Sequence, residues 1–438
     1  MSANYIFLLF FTELFFLSIS YTISNGNLMS PSFLSYAMFT LSTICVIYNI
    51  HYWEVEYSIK AWAVTTSGFL AMLLPEIFYT KKKHSYTNYI RQLNEKKIQN
   101  PIHIDSFING FIILSSILIM MVYVYSVFTR GKILGATGLN VIGLNKYDST
   151  STGNILEKIF YRVLMILFYF YVYVVAKNII LCKVKVKSQI MNFIPIICYF
   201  IVTFFAGNRI GILKNLLAIY AAVLSMMYQS KNIKMKEFKK VIKYFVIFGI
   251  AMVALFYLSR VFTKVNTSTA NRTFLEYITY YIGSPVYLFS KYIADPISVH
   301  AKNTLIGENT LTSLLQDLGY SPQYNNNFIY VGGNSNFAGN VFSWFEGPYH
   351  DYGFIGMLIF TIFIYCWFNH ILYKGIIKKG KDISIILMMY FNYVFVMSFY
   401  YCQTMWAITI TNAVYIFLII LMIRILPRLR CIRSKKFN

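Results

Sequence analysis

Several groups suited to proton transfer lie close together in the last third of the sequence. Asp351, His350 and Glu346 fall within one stretch of six residues, and His300 lies upstream in the same polar region. Imidazoles and carboxylates are the side chains that most often take a proton from a reacting hydroxyl. The three clustered groups stand just before an apolar segment, where partial desolvation shifts a pKa toward a useful range. We therefore predict a general base here, with Asp351 ranked first and the other three as alternatives.

Asp351 also has a structural interpretation. It precedes Gly353 by two residues, and aspartate at the start of a helix satisfies unpaired amide groups and complements the helix dipole. A cap for a helix predicted over 353–373 is therefore an alternative to the base, and the two roles are not exclusive.

Arginines offer a second kind of chemistry, because the planar guanidinium group binds phosphate oxygens at two points. Arg209 is the leading candidate, since it lies in a short Gly207-Asn208-Arg209 turn between two apolar segments. Its alternative role is an interfacial arginine that extends to lipid phosphates. Arg130 and Arg260 end apolar segments, where they are suited to a basic collar around a phosphate or to ordinary interface anchoring.

Four aromatic residues surround the candidate base: Trp344, Phe345, Tyr349 and Tyr352. Flat aromatic faces can stack on sugar rings, but aromatic side chains also collect at any membrane interface. Trp344 and Tyr349 are the predicted substrate contacts of this group.

The elements that position these residues are predicted from composition. The chain has 438 residues, of which 58% are hydrophobic and 13% charged, so too few polar side chains remain to cover a soluble globule. Apolar runs of about 20 residues predict transmembrane helices. We expect an all-α polytopic integral membrane protein with about eleven such helices, in the range ten to twelve. The predicted spans are 4–24, 31–50, 58–79, 108–128, 158–181, 190–206, 211–228, 241–259, 353–373, 383–400 and 405–425.

Charge predicts the orientation of these helices, because Lys and Arg collect in cytoplasmic loops. Five segments hold 25 of the 39 Lys and Arg residues and 4 of the 16 acidic residues, which is +21 of the net +23. These segments are 80–107, 182–189, 229–243, 374–382 and 424–438. We predict a cytoplasmic carboxyl terminus, membrane helices in 1–259 and 353–438, and one long external loop over 260–352. The basic balance is thus a topology signal and requires no nucleic-acid partner.

The sequence lacks the motifs that would indicate a metal-dependent or nucleotide-binding protein. The sequence has no CxxC, HExxH or clustered metal-ligand pattern and no Gly-rich phosphate loop, so we expect neither a metal nor a soluble cofactor. The six cysteines lie in or beside apolar runs, which does not indicate a disulfide framework.

The apolar spans hold two carboxylates. Glu13 is expected to face the bundle interior, and Glu76 to pair with Lys81 to Lys83. Arg162 is expected to pair with Glu157 unless it has a direct role.

The arrangement of many spans, a Gly-Asn-Arg turn and one long late external loop resembles bacterial O-antigen polymerases of the Wzy type. The resemblance includes the pattern Asn340-x-x-Ser343-Trp344-Phe345-x-x-Pro348-Tyr349-x-Asp351-x-Gly353-x-x-Gly356 leading into a helix. The separation of Arg272 and Gly283 also resembles a spacing in external loops of some polymerases. The resemblance implies a GT-C-like fold and makes Arg272 a further candidate for substrate binding.

The resemblance also implies an activity. A glycan on undecaprenyl diphosphate would be transferred to another lipid-linked repeat unit on the outer face of the bacterial inner membrane. The expected partners are this glycan, the lipid bilayer, and a chain-length regulator and flippase of the same pathway. A flippase for lipid-linked oligosaccharides and an O-antigen ligase remain alternatives. The absence of visible related halves argues against the flippase, and neither His300 nor His350 has the context typical of the ligase.

Overall fold

The computed structural model describes residues 4–81, 100–133, 135, 138–142, 155–229, 243, 273–295, 305–322, 329–330, 338–378 and 380–435. These residues are mostly helical, and their two strands, β1 (Ile329–Tyr330) and β2 (Ala338–Gly339), form one antiparallel pair. The prediction of a helical protein is therefore confirmed.

The described part of the chain contains fourteen α-helices. They are α1 (Asn4–Ile23), α2 (Pro31–Tyr48), α3 (Ile59–Lys81), α4 (Ser106–Ile133), α5 (Ile155–Ala176), α6 (Ile194–Phe205), α7 (Arg209–Gln229), α8 (Phe274–Ala294), α9 (Thr312–Asp317), α10 (Glu346–Asn369), α11 (Asp382–Phe391), α12 (Tyr393–Val396), α13 (Thr404–Ala407) and α14 (Ile410–Lys435). Two π-helical segments, Lys177–Leu181 and His370–Lys378, extend α5 and α10, and 3-10 turns occupy Gly138–Asn140 and Val186–Phe193.

Within the described residues, nine helices are long and apolar enough to cross a membrane. The chain is thus a multi-pass membrane protein, as predicted, although the count of eleven remains a prediction. The predicted span 241–259 lies outside the described residues except for Lys243. The predicted span 383–400 corresponds to the shorter apolar helix Asp382–Val396.

The chain forms two compact units. Unit 1 draws on Met1–Glu95, Arg272–Lys379 and Phe391–Ala413, and unit 2 draws on Lys96–Asn271, Gly380–Tyr390 and Val414–Asn438. The predicted division at 259 and 352 rests on membrane sidedness, which compactness does not test, so it stays a prediction.

Part of the predicted loop 260–352 is a regular helix. α8 begins with a capping box, in which Thr273 Oγ1 accepts from the Glu276 amide and the Glu276 carboxylate accepts from the Thr273 amide. It packs along α2, where Ser42 Oγ donates to the Ile282 carbonyl at 2.6 Å. A Cβ on Gly283 would lie 3.0 Å from Cys45 Cβ. Close packing of these two helices therefore explains Gly283 without a ligand.

The first three helices of unit 1 meet at the buried carboxylate of Glu76. Glu76, near the end of α3, accepts hydrogen bonds from Ser20 at 2.6 Å and from Ser30. The end of α1, the start of α2 and the end of α3 therefore meet. Glu76 is buried, and its described partners are hydroxyl groups. The predicted pairing with Lys81 to Lys83 stays a prediction, because Lys82, Lys83 and the side chain of Lys81 lie outside the described residues.

The opposite end of unit 1 carries α8 and the segment that joins α2 to α3. Lys291 Nζ lies 3.6 Å from a carboxylate oxygen of Glu56, and the Ser58 amide donates to Ser290 Oγ at 3.2 Å. Glu13 is fully buried between these ends and accepts from Thr43 Oγ1 at 2.9 Å. Its predicted inward orientation is confirmed.

Candidate active site

The candidate base residues occupy a short helical segment that Gly353 separates from the rest of α10. Gly353 has φ of 70° and ψ of −174°, which is not helical. Glycine adopts a positive φ without the steric cost of a Cβ. The chain therefore changes direction after residue 352, and Glu346, His350 and Asp351 all precede this change. Residues four apart lie on one helix face, so Glu346 and His350 share a face of the short segment.

Asp351 ties this segment to residues 309–310. Its carboxylate accepts from the Asn309 amide at 3.1 Å, Asn309 Nδ2 at 2.9 Å, the Thr310 amide at 2.8 Å and Thr310 Oγ1 at 2.7 Å. A carboxylate offers about four lone-pair sites, so these donors engage it extensively. The structure gives Asp351 the role of an anchor, which neither the base nor the cap interpretation included.

The anchored segment is also fixed from its other side. Thr310 Oγ1 lies 2.7 Å from the Tyr352 hydroxyl, and the Thr310 carbonyl accepts from Thr404 Oγ1 at 3.1 Å. Asp317, at the end of α9, accepts from the Ile410 amide at 2.8 Å and so caps α14. Residues 305–317 are therefore a structured part of unit 1 that holds α10 in place.

His350 is held by a buried tyrosine of α8. Its Nδ1 lies 2.9 Å from the Tyr292 hydroxyl, and Tyr292 is 1% exposed. Burial and then the negative charge of Glu346 raise the pKa of the Tyr292 phenol, so Tyr292 keeps its proton. When His350 donates its Nδ1 proton to the phenol oxygen, Nε2 becomes the unprotonated nitrogen that a base requires. His350 is only partly buried, which leaves this role open to it.

Glu346 lies deeper than His350. It is fully buried, and its amide donates to the Ser343 carbonyl at 3.1 Å. Its charge acts on Tyr292, so the carboxylate lies in the same electrostatic environment as the imidazole. A buried carboxylate beside a His–Tyr pair is suited to stabilise an imidazolium that forms when the imidazole takes a proton.

Trp344 has a packing role. It is 0% exposed, its Nε1 donates to Thr361 Oγ1 at 3.1 Å, and its amide donates to the Ser398 carbonyl at 2.7 Å. A ring enclosed in this way presents no face to a sugar, so the structure does not support the predicted stacking by Trp344.

The neighbouring aromatic residues differ in exposure. Phe345 is fully buried, and a Cβ on Gly68 would lie 2.2 Å from its ring. Tyr349 is partly exposed and lies edge-on to Tyr292, with ring centroids 6.2 Å apart. Of the two predicted aromatic substrate contacts, Tyr349 therefore remains a candidate.

Arg209 lies in unit 2 and begins α7. Gly207 has φ of +64°, and Asn208 Oδ1 accepts from the Gly211 amide at 2.7 Å. Asn208 is thus the helix cap, and a Cβ on Gly211 would lie 2.8 Å from the Asn208 side chain. The two glycines and the asparagine form a tight turn that fixes Arg209 at the helix start.

Arg130 is already paired. It forms an ion pair with Glu157, which also accepts from Ser126 Oγ. The predicted Arg162–Glu157 pair is replaced by this one, and the side chain of Arg162 is exposed. Because Glu157 offsets its charge, Arg130 is less suited to a basic collar around a phosphate than an arginine without such a carboxylate.

The remaining predicted site residues, Arg260, Arg272 and His300, lie outside the described residues, so their roles in substrate binding or proton transfer stay predictions. In the described part of the chain, no group of three His, Cys, Asp or Glu is placed to hold a metal ion.

Sequence reasoning missed Tyr292, Asn309 and Thr310, which hold the candidate residues in place. Tyr292 is one of 38 tyrosines, and no local pattern links it to a histidine 58 residues later.

Comparison with known proteins gives no independent assignment of function: no family model, curated protein or solved structure matches the chain.

Proposed function

We propose that this multi-pass membrane protein is a glycosyltransferase that polymerises oligosaccharide repeat units carried on undecaprenyl diphosphate. The reaction would take place on the outer face of a bacterial inner membrane, with the carboxyl terminus in the cytoplasm. The observation that carries the proposal is the His350–Tyr292 pair beside buried Glu346, at the end of a membrane-spanning helix. The identity of the substrate comes from the resemblance to Wzy-type polymerases.

The proposed reaction joins two lipid-linked glycans. An acceptor hydroxyl loses its proton to His350, and its oxygen forms a bond to the anomeric carbon of the donor sugar. The bond from that carbon to the diphosphate oxygen breaks, and undecaprenyl diphosphate leaves with the electron pair. The lipid diphosphate already activates the donor, so the step needs a base and stabilisation of the leaving charge.

The described residues support distinct roles in this reaction. His350 is preferred to Asp351 as the base, because Asp351 is committed to Asn309 and Thr310. Glu346 would stabilise the imidazolium. Arg209 lies in unit 2, and its role in binding the diphosphate stays the prediction made from the sequence, since a guanidinium group offers two parallel donors.

Reconstitution would test this proposal. Purified protein in liposomes should convert lipid-linked repeat units into a ladder of longer glycans without any added nucleotide sugar. Single repeat units that remain unchanged, with a protein that is folded and present in the membrane, would contradict the proposal.

A lipid-linked oligosaccharide flippase is the second candidate, and one observation favours it. Glu13 and Glu76 are both fully buried in membrane-spanning helices, and intramembrane carboxylates are typical of proton-coupled transporters. Both accept hydrogen bonds from hydroxyl groups, which also suits a structural role. Movement of the lipid-linked unit across the liposome membrane without chain growth would favour this alternative.

A further inference from the structure

The end of α8 contacts both the candidate base and a lysine. His350 Nδ1 lies 2.9 Å from the Tyr292 hydroxyl, and Lys60 Nζ donates to the Ile293 carbonyl at 3.3 Å. Tyr292 and Ile293 are consecutive, so their Cα atoms are about 3.8 Å apart. Both are buried, and all four residues belong to unit 1. The structure therefore places a cation near the proposed base.

Lys60 lies where a membrane-spanning helix begins. It is the second residue of α3 and is exposed, and the preceding Ile59 is 57% exposed. Residues 59–80 are long and apolar enough to cross a membrane, and the charge pattern predicts that this end of α3 is external. The diphosphate of a membrane lipid lies at this level, because its charges stay in water while its chain enters the hydrocarbon.

The ammonium group of Lys60 can bind a ligand in addition to α8. It carries three N–H donors, and the Ile293 carbonyl accepts from one of them. This bond also caps α8, since lysine side chains bind the last carbonyls of helices. Capping fixes the position of the ammonium group and leaves its charge in place, so the same group can bind an anion.

The charges of the other described lysines of unit 1 are offset or lie elsewhere. Lys291 is also near the end of α8, but its Nζ lies 3.6 Å from a carboxylate oxygen of Glu56. Lys374 Nζ lies 5.8 Å from the ring centroid of Tyr79, toward the opposite end of α3. Among the described residues, no carboxylate forms an ion pair with Lys60. Lys60 therefore combines a position near Tyr292 with a charge suited to an anionic ligand.

We infer that Lys60 binds the diphosphate of the lipid-linked donor, near the base at His350. The leaving oxygen takes the electron pair of its bond to the anomeric carbon, and the ammonium group stabilises the charge that develops there. The acceptor oxygen and the anomeric carbon lie between the two groups, so base and cation must be neighbours without touching. Lys60 belongs to the same unit as His350, whereas Arg209 belongs to unit 2. The identity of the lipid rests on the proposed function, while the position of the anion rests on Lys60.

Binding measurements on the full-length protein would test the inference. The affinities for undecaprenyl diphosphate and for undecaprenol, which has no phosphate, would be measured by native mass spectrometry in phosphatidylcholine nanodiscs. The variant is Lys60→Gln, which removes the charge and keeps a side-chain donor. The matched control is Lys132→Gln, because Lys132 is an exposed lysine in the last turn of α4. Thermal unfolding would establish that each protein is folded.

The expected result for Lys60→Gln is a loss of diphosphate affinity of roughly tenfold or more, with undecaprenol binding unchanged and no change in the control. An equal loss of undecaprenol binding would overturn the inference, because Lys60 would then be only a helix cap. An equal loss in Lys132→Gln would also overturn it, because the effect would then come from general surface charge.

Two further outcomes separate this inference from the proposed function. Equal diphosphate affinity in wild type and Lys60→Gln, or loss of the difference when phosphatidylglycerol replaces phosphatidylcholine, would overturn the role of Lys60 alone. Diphosphate binding that depends on Lys60, in a wild-type protein that makes no polymer, would support this site and contradict the proposed function.

Discussion

At the scale of single residues, hydrogen bonds rather than sequence position separate the two leading base candidates. Asp351 and His350 are adjacent and stand equally near the start of an apolar helix. Asp351 has both oxygens committed to residues 309–310, whereas His350 Nδ1 faces the single hydroxyl of Tyr292. Asp351 therefore has a positioning role, and we assign the proton transfer to His350.

Asp351→Asn tests this separation. The amide places an NH₂ group against donors that now face carboxylate oxygens, so we expect a loss of stability on the order of 1.5–3 kcal/mol. We also expect a visible polymer ladder. Stability would be followed by thermal unfolding and chain length by gel electrophoresis. Single repeat units alone, made by a variant of normal stability, would return the base to Asp351.

Arg209→Lys tests the bidentate role of the guanidinium group. A lysine keeps the charge but offers a point ammonium in place of a planar fork, so we expect most of the polymerising activity to be lost. Arg162→Lys is the matched control, because Arg162 is exposed and lies in the same unit. Near-normal polymer length in Arg209→Lys at equal expression would reduce Arg209 to an interfacial cation.

At the scale of elements, the apolar helices were predictable, but the helix inside the polar loop was not. α8 buries polar as well as apolar residues, and its mean hydropathy does not qualify it as a span. Its helical form depends on the capping box at Thr273 and on the close packing of Gly283 against α2. Such packing is visible only when both helices are in place.

The bend at Gly353 sets the direction of residues 346–352, which carry the candidate base, relative to the rest of α10. At φ of +70° and ψ of −174°, Gly353→Ala should cost about 1–3 kcal/mol through backbone strain alone, since a Cβ there would meet nothing within 4 Å. We expect a lower unfolding temperature together with reduced polymerisation. Gly110→Ala is the control, because Gly110 is in regular helix with equally open surroundings. An unchanged unfolding temperature in Gly353→Ala would contradict the bend.

At the scale of the whole molecule, composition and charge predict a multi-pass protein, and the helices agree. The partners of buried charges were less predictable. Glu76 accepts hydrogen bonds from Ser20 and Ser30, because the end of α1 and the start of α2 meet the end of α3 there. Local sequence cannot say which distant segment supplies a partner, and the same limit hid the Tyr292–His350 pair.

Orientation is tested by accessibility at two described positions. Tyr320→Cys should react with an impermeant thiol reagent in cells with a permeabilised outer membrane, because 54% of the Tyr320 side chain is exposed in the segment predicted to be external. Lys381→Cys should not react, since it lies in a basic segment predicted to be cytoplasmic. The labelling of the wild-type chain, which has cysteines of its own, is subtracted as background. Reaction at position 381 alone would reverse the orientation.

The most direct test of the central claim is the release of undecaprenyl diphosphate during chain growth by the purified protein. We expect one molecule released for each glycosidic bond formed, and a rate about 10²–10⁴-fold lower in His350→Gln at unchanged stability. Chain growth without stoichiometric release, or no chain growth by a folded protein that binds its lipid-linked substrate, would contradict it.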